Sequence, residues 1–312
     1  GRKNAFAVFF STGDINLIKR GKSFLIVLAL IVGLWLLVSF SSTPERSRKP
    51  SADWGRGIPV GSDASGTLGM VVDEDGSAIH VVWPFEAEDG IVGIRYVQIG
   101  EVAQISVDRE VIKIEGQMRT PRLFAAENGL FHLLWVNRVD SSRKWQLWYV
   151  QIDREGNLQG EPMQISDPGS GILQYAVAGT QDNEIWIAWE DVRFGGIKLT
   201  GISASGEEQA QNTNVAARAS NPDIVVDQQG QIHLTWVDSG NNLFYALVDQ
   251  NSLSSLSAEK IFYIPLGTGA SLDGPELGVS DEIVYIFWSV LNQAGLEAGT
   301  ALTEYITFPL GM

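Results

Sequence analysis

Five tryptophans, Trp83, Trp135, Trp189, Trp236 and Trp288, recur at intervals of 52, 54, 47 and 52 residues. A steady period near that length, with the same chemistry around each copy, is the signature of a repeat architecture. Each Trp closes an apolar or alternating run: Ile79 to Trp83, Phe131 to Trp135, Ile185 to Trp189, Ile232 to Trp236 and Val284 to Trp288. Such runs are too short for helices and read as half-buried or buried strands.

Upstream lies a second apolar strand and a turn, as in Val71-Val72-Asp73-Glu74-Asp75-Gly76 and Val225-Val226-Asp227-Gln228-Gln229-Gly230. The acid caps the turn with its carboxylate and Gly takes the positive φ. Downstream, Ile94-Arg95-Tyr96, Leu147-Trp148-Tyr149 and Leu243-Phe244-Tyr245 give a third strand, with Leu199-Thr200-Gly201 as a degenerate copy. Fourth strands are expected at 110–115, 161–165, 260–264 and 303–308. Four strands per unit make a propeller blade. The expected fold is therefore all-β: a β-propeller of about five four-stranded blades near 64–116, 117–170, 171–219, 220–270 and 271–312, glued by the repeated indoles. Each indole N–H is expected to find a nearby carbonyl.

The stretch 23–44, SFLIVLALIVGLWLLVSFSSTP, has no charged residue. At roughly 1.5 Å per residue it spans a hydrocarbon core of about 30 Å as a helix, so a single transmembrane helix is expected, with membrane lipid as partner through Phe24–Phe40. Lys19, Arg20 and Lys22 precede it, which favours a cytoplasmic N-terminus and an extracytoplasmic propeller in the cell membrane. A cleavable signal peptide has a similar crude form; the long leader favours a retained anchor. The expected map is an inner tail at 1–22, the span at 23–44, a linker at 45–63 and the propeller at 64–312.

Residues 1–56 hold nine of the 22 basic and three of the 37 acidic residues. Residues 57–312 thus hold 13 basic and 34 acidic residues, a net charge of −21. A head this acidic does not suit nucleic acid, whose binding rests on cations. With no cysteine, thiolate metal sites and thiol nucleophiles are excluded. No cofactor is expected.

The pattern in Pro222-Asp223-Ile224-Val225-Val226-Asp227-Gln228-Gln229-Gly230-Gln231-Ile232-His233-Leu234-Thr235-Trp236 resembles sialidase-like propellers with bacterial neuraminidase-type repeats. Trp189-Glu190-Asp191-Val192-Arg193 is similar to the strand exits of such proteins. The resemblance covers residues 64–312 and implies a fold. It leaves activity open: the neuraminidase Asp-box is not reproduced, because Trp236 lies nine residues beyond Asp227, and the Arg-Ile-Pro element is missing.

All three histidines, His80, His132 and His233, stand three residues before a repeat Trp, where Trp186 and Tyr285 occupy the other copies. A metal site is one reading; packing of a flat, half-polar ring explains all five occupants, and no metal is expected. For chemistry, the loops expected at one end of the propeller offer Arg122, Asp191, Arg193, Asp223, Asp238 and Glu276. Paired carboxylates there suit glycoside hydrolysis and arginines suit an acidic sugar, while turn capping explains several of the same residues. No catalytic constellation is assigned. The main expectation is a membrane-anchored, non-catalytic binding or assembly module with a protein partner in a membrane or surface complex. The alternative is a sialidase-like glycoside hydrolase or glycan-binding lectin at the cell surface, with glycan as partner.

Overall fold

The computed structural model describes residues 59–73, 75–87, 90–100, 104–138, 144–193, 195–248, 257–263, 270–280, 283–292 and 301–309. The expected tail, membrane span and most of the linker lie outside the described residues. Among the described residues no helix is long and apolar enough to cross a membrane.

From Asp63 onward the chain forms one compact unit built of consecutive antiparallel sheets. The first holds β1 (Gly69–Val72), β2 (Ala78–Glu86), β3 (Ile91–Gly100) and β4 (Ile105–Glu115). The second holds β5 (Gln117–Ala125), β6 (Phe131–Arg138), β7 (Gln146–Ile152) and β8 (Met163–Gln164). The third holds β9 (Ile172–Gly179), β10 (Ile185–Asp191), β11 (Gly196–Ile202) and β12 (Glu208–Ala217). The fourth holds β13 (Ala219–Val226), β14 (Ile232–Asp238), β15 (Asn242–Val248) and β16 (Ser257–Tyr263), and the fifth β17 (Ala270–Val279), β18 (Ile283–Asn292) and β19 (Ala301–Pro309). Each is a meander in which sequence neighbours pair, the pattern of propeller blades. The first strands pack on each other from blade to blade: β1 on β5, β9 on β13 and β13 on β17.

Two strand expectations change. The segment 303–308 pairs directly with β18 as a third strand, so the fifth sheet has three strands among the described residues. The third blade has a fourth strand, β12, that carried no apolar signal: Glu208–Ala217 is mostly polar because it lies at the sheet edge.

The five repeat indoles are the common feature of the core, exposed by 5% or less. Trp135 packs in a cluster with Tyr96 and Ile112 of the first blade, Trp189 with Leu134 and Tyr149 of the second, and Trp236 with Trp186 and Leu199 of the third. Each of these three rings therefore fills the space against the preceding sheet. Among the described residues, the indole N–H groups do not find the expected carbonyls; two donate to a carboxylate and a hydroxyl. Trp83 Nε1 donates to Asp63 at 3.0 Å and Trp189 Nε1 to Thr200 at 3.3 Å. Trp135 and Trp288 make no such bond among the described residues. Large apolar burial outweighs a missing bond of about 1 kcal/mol.

The histidines are buried polar ties. His132 Nε2 lies 2.8 Å from the Asn183 carbonyl, which can only accept, so Nε2 carries the proton and Nδ1 accepts from the Tyr149 hydroxyl at 2.8 Å. His80 joins Tyr96 and Asp73 at 2.7 and 3.1 Å, and His233 joins Tyr245 and Asp227 at 2.7 and 3.2 Å. The third blade replaces the whole set: Trp186 takes the His position, Leu199 the Tyr position, and a Cβ on Gly201 would stand 2.9 Å from the Trp186 ring. The larger ring needs the glycine opposite it. Among the described residues no group of His, Asp and Glu is placed to hold a metal ion.

Candidate functional site

The site begins with a kink that the sequence repeats. In β5, β13 and β17 a residue with positive φ precedes a proline and then a charged residue: Thr120-Pro121-Arg122, Asn221-Pro222-Asp223 and Gly274-Pro275-Glu276, with φ of 48°, 53° and 56° at the first position. Positive φ is unfavourable for a β-branched Thr, and proline removes a ladder donor. The strand cannot pair there and bulges. Arg119 pairs with Val136 and Arg122 with Leu134, leaving two residues opposite Trp135 alone. Ser220 and Asp223 bracket Trp236 in the same way, and Asp273 and Glu276 bracket Trp288. Bulges re-aim the side chains that follow them.

The three charged side chains therefore occupy one slot on three blades, each opposite the residue before the repeat Trp. The equivalent positions are Gly69 on β1 and Ala176 on β9. Gly69 is required there, since a Cβ would lie 2.7 Å from the Pro121 carbonyl of the next bulge.

Arg122 and Glu276 are exposed and Asp223 is half-buried, and the three interact. Burial raises the Glu276 pKa above the ordinary carboxylate value, the charge of Asp223 raises it further, and Arg122 opposes the rise. Burial also raises Asp223, opposed first by the N–H of Leu277, which donates to Asp223 Oδ2 at 2.5 Å, and by Arg122. On the neighbouring third blade, Glu190 is raised by burial and accepts a long bond from the Asn221 N–H at 3.5 Å. The Tyr175 hydroxyl donates to the Thr120 carbonyl, and burial pushes its pKa up against the opposing effects of Arg122 and of that bond. Two carboxyls biased toward protonation beside one guanidinium form an acid and base set with an anion-stabilising cation.

Of the candidates from sequence, Arg122, Asp223 and Glu276 come together, on innermost strands and not on loops. Asp191 is buried, accepting from Ser170 Oγ and from the Arg193 N–H at 2.9 Å, and is ion-paired with Lys198 Nζ at 3.2 Å. Lys198 also pairs with Asp167, which ties the link after β8 to β11. Arg193 is exposed on the turn after β10. Asp238 caps its hairpin, accepting from the N–H groups of Gly240 and Asn242 at 2.8 and 2.9 Å. The sequence pattern missed Tyr175 on β9, an inner strand without the Pro-charge pair, and Glu190 on the adjacent β10; Asp223 and Glu276 carried a signal in that pair, 12 or 13 residues before a Trp.

No protein-family model matches the sequence, and no curated protein does. Among solved structures the chain is similar to a protein of unknown function from Dyadobacter fermentans, 9% identical, with 78% of this chain and 76% of that chain covered and a TM-score of 0.50. It is also similar to the exo-beta-1,3-galactanase of Phanerochaete chrysosporium with galactose, 11% identical, covering 82% and 61%, TM-score 0.46. A third is the GH43_1 enzyme of Xanthomonas citri complexed with xylose, 13% identical, covering 79% and 87%, TM-score 0.42. At such identities the likeness concerns the fold, and it agrees with a propeller. The sialidase-like type rests on the sequence resemblance alone. The expectation of a non-catalytic binding or assembly module is corrected: several of the matched structures are glycoside hydrolases.

Proposed function

We propose that this chain is a glycoside hydrolase acting at the end of the propeller where Asp223, Glu276 and Arg122 meet. The observation that carries the reading is the raised pKa of Glu276 beside Asp223. A carboxyl whose pKa is raised holds its proton to higher pH and can donate it to a glycosidic oxygen as the bond breaks, while its partner serves as base or nucleophile. In this role Glu276 is the general acid. Asp223, whose one oxygen is fixed by the Leu277 N–H, is the carboxylate that acts on water or on the sugar. Arg122 opposes the rise that burial imposes on the Asp223 pKa and so favours its ionised form, and it offers donors to a hydroxyl or carboxylate of the substrate.

Two matched enzymes are named with galactose and with xylose, which makes galactans and xylans the first glycans to assay. The uncharged stretch 23–44 supports a membrane-tethered enzyme with its propeller outside the cell. The test is reducing-sugar release by the full chain from a panel of neutral and acidic glycans. Glu276→Gln and Asp223→Asn are expected to lower the rate by about 10²- to 10⁴-fold. An unmodified chain that releases nothing from the panel, or variants as active as the parent, would sink the reading.

A further inference from the structure

The head carries 34 acidic and 13 basic residues beyond residue 56, so a cation left without a carboxylate needs a reason. On the second blade there are two. Among the described residues, Arg119 and Arg138 form no ion pair, whereas Arg95, Arg154 and Lys198 do, and Arg122 feels the charges of Asp223 and Glu276. Arg119 and Arg138 also share one neighbour: their guanidinium carbons stand 4.1 and 5.1 Å from the centroid of one ring, Trp145. Two like charges on one indole repel, and burial, with the charge of Arg138 added to it, lowers the pKa of Arg119.

Their orientation is nevertheless fixed. Arg119 Nη2 donates to the Leu173 carbonyl at 3.0 Å and Arg138 Nη2 to Gln117 Oε1 at 2.6 Å. Each guanidinium has five donors, so most of each fork is left for a ligand. Apolar surface adjoins it: Leu173 is 55% exposed and Val192, bonded through its N–H to the Gly171 carbonyl, is 50% exposed. Arg119 and Arg122 lie three residues apart on β5, on either side of the bulge, so this rim leads into the carboxylate site.

Paired guanidiniums recognise a planar carboxylate through bidentate bonds, and a sugar ring lays its C–H face on aliphatic or aromatic surface. We propose that Arg119 and Arg138, seated on Trp145, form a subsite for the carboxylate of a uronic acid, so that the glycan is an acidic polysaccharide. This assignment rests on the axial end being where glycan binds. A neutral glycan would leave both cations unpaired; an anion relieves their repulsion.

The test compares binding of the full chain to oligogalacturonate, oligoglucuronate and oligomannuronate with binding to the methyl ester of each, which keeps the shape and removes the charge. At least one acid is expected to bind tenfold or more tightly than its ester, with the preference shrinking as salt is raised. Arg119→Gln and Arg138→Gln should each cut binding of that acid about tenfold and leave the ester within about twofold, the charge-assisted bonds being the part removed. Arg138→Lys should fall between, because it keeps the charge and loses the planar fork.

Equal binding of every acid and its ester would overturn the assignment, as would unchanged binding by both Gln variants. Polyglutamate binding in place of uronates would point instead to an acidic protein partner and also overturn it. Hydrolysis of neutral glycans without any preference for acid would refute this subsite and leave the hydrolase standing. Acid binding with no hydrolysis of any glycan would do the reverse.

Discussion

The backbone N–H of Leu277 on the fifth blade donates to Asp223 Oδ2 on the fourth at 2.5 Å. That bond crosses from one blade to the next and orients a carboxylate that burial would otherwise disfavour in its charged form. Glu276 precedes Leu277 in the chain, so one bond sets the spacing of both acids.

The carboxylates should cost stability while serving chemistry. Their folded pKa values lie above the unfolded ones, so the native state binds protons more readily and loses stability as pH rises from the unfolded value through the folded one. Glu276→Gln is therefore expected to raise the melting temperature at pH 7 and to make no difference at pH 3. Thermal unfolding at the two pH values checks this.

Removing Arg122 should move the pH profile. Its charge opposes the rise in the Glu276 pKa, so Arg122→Met lets that pKa climb. The alkaline limb of kcat/KM against pH, set by loss of the Glu276 proton, is expected to shift upward while the maximum falls. A limb that stays in place would remove Glu276 from the role of general acid.

His132 is buried and neutral, its pKa pushed down to about 4 by burial. A lowered folded pKa makes the contribution full above the unfolded value near 6.5 and lost as pH falls toward 4, by at most about 3 kcal/mol. Urea unfolding between pH 7 and pH 4 should show that loss in the parent and much less of it in His132→Phe. Tyr149→Phe, which leaves Nδ1 without its donor, should cost roughly 1 kcal/mol or slightly more at pH 7.

The third blade allows an exchange test. A side chain at position 201 would strike the Trp186 ring, so Gly201→Ala is expected to destabilise by about 1–3 kcal/mol through overpacking. In the background of Trp186→His the same substitution should cost clearly less, and a double-mutant cycle by denaturant unfolding measures the difference.

The repeat was legible because one large apolar residue per blade must be buried, and burial leaves a period that survives drift of everything between. The indoles at 83, 135, 189, 236 and 288 mark the layer between sheets. Edge strands such as β12 left little trace, since a strand with one solvated edge accepts polar residues throughout. The site was half legible. Arg122, Asp223 and Glu276 were among six charged residues expected on loops, but register decides that they share a slot on strands, and the bulges that set the register depend on backbone angles at Thr120, Asn221 and Gly274. Asp191 and Asp238 looked equally suitable by type. Their carboxylates are taken up by turn N–H groups and by Lys198, a distinction made by geometry and not by composition.

The slot opposite the residue before each Trp holds Gly69, Arg122, Ala176, Asp223 and Glu276. Five unlike residues thus share a scaffold whose packing layer lies on the facing strand. The slot residues and the indoles lie on facing strands, and the slot varies from one blade to the next. Ala176 is packed against the core of the third and fourth blades, and Gly69 is closed to any side chain by the neighbouring carbonyl. A chain organised this way can change its substrate without renegotiating how it folds.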